Sequence, residues 1–112
     1  MLFGLSVEKV QKWGEKGKYK KLMSVLSKSK VKKDIYLAAI RACAKCEKLD
    51  RDAVNLLITI MRNPDKDIKL TTIETLGEIG DPLATEHLRK LAKDEDPEIK
   101  AEAEKALKKI AG

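Results

Sequence analysis

Aromatic side chains are scarce in this 112-residue chain, with one Trp, two Tyr and one Phe making up 4% of it. Sheets draw on aromatic and β-branched residues, so the shortage speaks against a β fold. Long apolar runs are missing too. No stretch approaches the roughly 20 residues a membrane helix needs, and the opening Met1-Leu2-Phe3-Gly4-Leu5 is too short for a signal peptide and lacks its basic lead. A cytoplasmic protein that does not enter the membrane is expected. Metal ligands are equally few: the single histidine, His87, and the pair Cys43-Ala44-Lys45-Cys46 do not supply the four ligands of a zinc site. His87 has no evident Ser or Cys nucleophile and orienting partner to work with, so no catalytic residues, cofactor, metal or small-molecule substrate are assigned.

What remains is 43% apolar and 38% charged residues, a balance that suits short amphipathic helices. A chain of this length should bury about 65% of its unfolded surface, enough for one core. Internal repeats organise it. Asp67 through Asp81 align without gaps on Glu98 through Gly112 at an offset of 31, placing Ile68 on Ile99, Leu76 on Leu107 and Ile79 on Ile110. The preceding helices obey the same offset, with Leu57 on Leu88 and Ile60 on Leu91. A third copy, Asp34 through Cys46, falls on Asp67 through Ile79 at an offset of 33. Its first helix is predicted from Tyr19 to Ser27.

Three helix pairs follow, roughly 18–48, 50–80 and 81–111, in a single domain spanning 1–112. An extra helix near 6–16 starts at Ser6, and residues 1–17 serve as an N-terminal cap. Asp81-Pro82 and Asp96-Pro97 place a capping acceptor before a proline at the first helical position, where the missing N–H costs nothing. Asp50 and Asp65 can cap similarly, and Gly17, Gly80 and Gly112 stand where helices end in a left-handed residue.

The run Asp67-Ile68-Lys69 through Leu76-Gly77-Glu78-Ile79-Gly80-Asp81-Pro82 resembles the phycobilisome-lyase type of HEAT repeat. The likeness is specific in the last two repeats and degenerate in the first, where Cys43 and Cys46 replace the Leu and Ile. It implies an all-α fold, an α-α superhelix of HEAT-like type with about three helix pairs plus the N-terminal capping helix. It also implies an interaction scaffold; a minority of the family assists chromophore attachment, for which nothing here marks a bilin pocket.

In such stacks neighbours cover each pair's apolar face and the terminal repeats turn polar outside. The run Ala53 to Met61 is apolar almost all round, as expected of a helix covered on several sides. In the last repeat Leu70 becomes Ala101, Ile73 becomes Glu104 and Leu56 becomes His87, so His87 reads as a polar replacement on a terminal face. Leu57 and Leu76 should therefore matter more to stability than Leu88. At the other end Val7, Val10 and Trp13 are expected to cover the first pair, helped by Phe3 and Leu5. Trp13, amid Lys9, Lys12 and Lys16, has a second reading as a platform for a stacked base. Cys43 and Cys46 occupy positions held by Leu76 and Ile79, so they should be buried, reduced packing residues.

Charge is lopsided. Residues 1–49 hold 13 Lys/Arg against 4 Asp/Glu, and residues 50–112 hold 11 against 14, giving +9 and −3. The segment Lys28-Ser29-Lys30-Val31-Lys32-Lys33 concentrates like charges that a partner's anions would offset. The leading expectation is a non-catalytic protein-protein interaction scaffold. Its partner, carrying an acidic or mixed-charge segment, would bind an exposed ridge of second helices and the basic N-terminal half. By repeat geometry the ridge holds Ala38, Arg41 and Lys45, then Thr71, Glu74 and Glu78, then Glu102, Lys105 and Lys109. The partner-binding set is Lys20, Lys21, Lys28, Lys30, Lys32, Lys33, Arg41, Lys45, Glu74 and Glu78. The rival is a nucleic-acid or ribonucleoprotein binder in which Lys20, Lys21, Lys28, Lys30, Lys32 and Lys33 neutralise phosphates.

Overall fold

The computed structural model describes residues 4–112, and among them every regular element is helical. Seven α-helices occur in the order α1 (Val7–Glu15), α2 (Tyr19–Leu26), α3 (Lys33–Ala42), α4 (Arg51–Ile60), α5 (Lys66–Ile79), α6 (Thr85–Leu91) and α7 (Pro97–Ala111). Short 3-10 turns extend α3 at Cys43–Lys45 and lead into α6 at Pro82–Ala84. The fold is all-α and HEAT-like, as the repeat predicts. It divides into two compact units that meet in sequence between Ala53 and Val54.

Helix starts follow the aspartates. Ser6 Oγ accepts the Lys9 N–H, and Asp50 Oδ1 accepts the Ala53 N–H. Asp65 Oδ1 accepts N–H groups from Asp67 and Ile68, and Asp96 Oδ1 does the same for Glu98 and Ile99. Each of these last two caps is itself held from two residues upstream, since Asn63 Oδ1 accepts the Asp65 N–H and Asp94 Oδ1 the Asp96 N–H, both at 2.8 Å. The repeat thus extends into its loops. Satisfying donors that the first turn leaves unpaired is worth about 1 kcal/mol per cap. At the other end of α5, Gly80 adopts φ 75° and donates its N–H to the Leu76 carbonyl, closing the helix with the left-handed residue its position predicts.

In the first unit α1 packs on both α2 and α3, and α2 packs on α3. Val10, Leu22, Ala39, Ile40 and Cys43 are wholly buried there. In the second unit α7 packs against α5 and α6. Ile73, Leu76, Leu88 and Ala103 form its buried centre. Leu88 is as completely buried as Leu57, so the expectation that it matters less is not supported. The polar Thr72, also fully buried, donates its hydroxyl to the Ile68 carbonyl one turn back at 2.7 Å and leaves no unmet donor.

Two glycines set how closely helices approach. A Cβ on Gly14 would stand 2.7 Å from the Ala42 carbonyl oxygen and 2.8 Å from the Ala42 Cβ, so α1 lies against α3 with no room for a side chain. Gly77 of α5 meets Ala106 of α7 in the same way, at 2.9 Å. The correspondence reaches the sequence, because Trp13-Gly14-Glu15-Lys16-Gly17 matches Leu76-Gly77-Glu78-Ile79-Gly80 at an offset of 63. Helix α1 therefore takes the place of a repeat's second helix, and it meets α3 as α5 meets α7. Phe3, expected as further cover, lies outside the described residues.

Candidate functional site

The close crossing at Gly14 leaves the rest of the α1–α3 seam open, and a cavity of about 520 Å³ lies along it. Because both helices carry second-helix positions, their residues line it at helical spacing: Val7, Gln11 and Glu15 from α1 face Asp34, Leu37, Ala38, Arg41 and Ala42 from α3, with Lys45 just beyond. Ala38 and Ala42 are buried in its floor, and half-buried Val7 and Leu37 add apolar wall. Exposed Gln11, Glu15, Asp34, Arg41 and Lys45 form the rim. Among the described residues neither Arg41 nor Lys45 has a carboxylate within 4.0 Å. The groove thus offers an apolar bottom and two cations and two carboxylates that are not paired with each other.

One part of the expected ridge is corrected here. Ala38, placed on an exposed row, is only 6% exposed and forms a depression instead. The repeat explains why: the equivalent position is Thr71 in α5 and Glu102 in α7. In α7 the Glu102 side chain is 22% exposed and pairs with Lys105 at 3.6 Å, so bulk and charge fill what a methyl group leaves open in α3.

The other assigned residues are spread out. Lys20 and Lys21 are exposed on α2, Lys28, Lys30 and Lys32 are exposed in the α2–α3 loop, and Lys33 opens α3. Arg41 and Lys45 are the pair that the structure brings together, one turn apart on the groove rim. Glu74 and Glu78 are exposed on α5 in the second unit. Lys21 has a further role, because its Nζ lies 5.5 Å from the centroid of Trp13 while Lys9 Nζ lies 5.8 Å away. Trp13 is half-buried and engaged by two cations, an interaction of about 0.5–1 kcal/mol each at such exposure. It is neither plain core nor a bare platform. The groove residues that the partner-binding set lacks are Val7, Gln11, Glu15, Asp34, Leu37, Ala38 and Ala42. The signal for them was the Gly-x-x-Gly of α1, which marks that helix as a second helix.

The cysteines are packing residues. Both are unpaired and buried, Cys43 fully, and Cys43 Sγ donates to the Ala39 carbonyl at 3.3 Å. Burial pushes the Cys43 thiol up to about 12, and burial raises Cys46 too, so neither is poised as a thiolate. No group of three or more His, Cys, Asp or Glu among the described residues could hold a metal ion.

The family of HEAT repeats matches residues 19–108. The chain belongs to the HEAT-repeat family. HEAT repeats are generally protein-interaction scaffolds, typically without catalysis. No curated protein matches the chain. No helix among the described residues is long and apolar enough to cross a membrane.

Proposed function

We propose that this HEAT-repeat protein is a non-catalytic scaffold that holds a segment of a partner protein in the α1–α3 groove. The observation that carries the reading is the depression over Ala38 and Ala42, rimmed by Glu15 and Asp34 as well as Arg41 and Lys45. An apolar side chain fits the floor, and flanking residues of both signs match the rim. A polyanion does not, since two of the four charged rim groups would repel it. The basic loop at Lys28, Lys30 and Lys32 adds long-range attraction for an acidic partner, screened beyond about 8 Å at physiological ionic strength. A cytoplasmic setting belongs to the same proposal, because unpaired thiols persist in reducing compartments. So does the phycobilisome-lyase subtype, which rests on Leu76-Gly77-Glu78-Ile79-Gly80.

Charge reversal tests it. Arg41→Glu with Lys45→Glu should leave melting within about 1 kcal/mol of the parent, as exposed changes usually do, and should release proteins captured from the native host by the parent chain. Capture that survives the reversal but disappears on nuclease treatment would instead assign the basic half to nucleic acid.

A further inference from the structure

The second unit contains a cationic pocket that its overall charge conceals. Its cavity of about 210 Å³ is lined by Arg62, which follows α4, Lys69 of α5, and His87 and Lys90 of α6, with Met61 and Leu91 as apolar wall. Residues 50–112 carry more carboxylates than cations, 14 against 11, yet no carboxylate lines this cavity. The neighbouring acid Glu86 is engaged by Arg89. Among the described residues, none of the four basic side chains has a hydrogen-bonded or ion-paired acceptor. Lys69 and His87 are also half-buried. Basic groups gathered from three elements, two of them partly withdrawn from water, repel one another when charged unless an anion joins them.

The sequence scatters these residues over positions 62, 69, 87 and 90, so no charge run announces them. In the repeat, His87 stands where Leu56 stands and Lys90 where Thr59 stands, so α6 acquires both basic groups where α4 has none. His87 is thus part of a lined cavity, which the reading of it as a polar residue on a terminal face did not anticipate.

We infer that Arg62, Lys69, His87 and Lys90 form a binding site for a phosphate-monoester dianion. A tetrahedral dianion accepts hydrogen bonds in several directions at once, matching donors that line one cavity from α5, from α6 and from the turn after α4, and its second charge sets it apart from a carboxylate or a phosphodiester. Met61 and Leu91 flank the carbon-bearing side of such an ester. The site shares no residue with the α1–α3 groove, so its test is independent of that reading.

The test uses the full chain, with inorganic phosphate, methyl phosphate and dimethyl phosphate as probes at matched ionic strength. Inorganic and methyl phosphate should raise the melting midpoint saturably and shift amide resonances around Arg62, Lys69 and His87 to Leu91. Dimethyl phosphate should bind at least tenfold more weakly. Lys69→Gln with Lys90→Gln should lower phosphate affinity tenfold or more. The exposed change Arg62→Gln should weaken binding as well, and serves if the double variant fails to fold. A phosphoserine peptide binding more tightly than inorganic phosphate would place the dianion on a partner protein; the reverse would make it a free metabolite or ion. Equal binding of the monoester and diester, shifts no different from those in chloride, or unchanged affinity in folded variants would overturn the site.

Discussion

Gly14 of α1 presses on Ala42 of α3 so closely that a single added carbon would fall 2.7 Å from the Ala42 carbonyl oxygen. Gly14→Ala sets two effects against each other. Alanine favours the helix by about 1 kcal/mol over glycine, while forcing a methyl group into a packed crossing costs typically 1–3 kcal/mol and requires backbone to move. Backbone cannot swing aside as a side chain end can, so the clash should win. Net destabilisation of up to about 2 kcal/mol in denaturant melts is expected, and a more stable variant would mean that the seam is looser than described.

Leu88 should prove as important as Leu57. Both are fully buried, and truncating either to alanine should cost about 2–5 kcal/mol. The sequence led to a gradient, because the last repeat replaces Leu70 by Ala101, Ile73 by Glu104 and Leu56 by His87. Those changes leave the core side of α6 untouched, since His87 is half-buried while Leu88 beside it is fully buried. Chemical denaturation of the two variants, measured side by side, checks this.

Cys43 gives the chain a specific alkaline sensitivity. Its folded-state thiol is raised by burial from an ordinary value of 9.0 to about 12. An unfolded chain ionises that thiol at about 9 while the folded one keeps its proton, so unfolding releases a proton in this window. Stability from this group is complete below about pH 9 and is lost progressively as pH rises towards 12. Burial raises Tyr36 as well, with the same sign, so the comparison must be with Cys43→Ala. The alanine variant should show a shallower loss of stability between pH 9 and 12, and parallel curves would refute the assignment. The folded parent should also resist thiol alkylation at pH 8.

Helix positions, caps and the buried cysteines were legible because each follows from local chemistry repeated in register. Asp50, Asp65, Asp81 and Asp96 mark starts through side chains that accept backbone N–H groups. The groove was half legible. Arg41 and Lys45 followed from the repeat, but Ala38 was placed on a ridge because alignment gives a residue's face and not the height of its neighbours. The pocket at Lys69 and His87 was hidden for a similar reason, since its four cations lie at scattered sequence positions and line one cavity only in the folded unit. Trp13 escaped a simple reading because Lys21 reaches its ring from α2.

Filling the groove should separate binding from folding. Ala38→Glu gives α3 the residue that α7 carries as Glu102, which is accommodated there at a partly exposed position. The variant should stay folded, with some loss of stability because Ala38 is more buried than Glu102. Partner binding should fall at least tenfold, whereas Ser24→Glu, an exposed change on α2, should leave it unaffected.

The central claim is that a partner protein lies in the α1–α3 groove, and site-directed photocrosslinking in the native host tests it most directly. A photoreactive residue at Gln11, on the groove rim, should form a discrete protein adduct that Ala38→Glu abolishes and that the same probe at Ser24 does not form. Equal adducts from both positions, no adduct from Gln11, or an adduct made of nucleic acid would contradict the account.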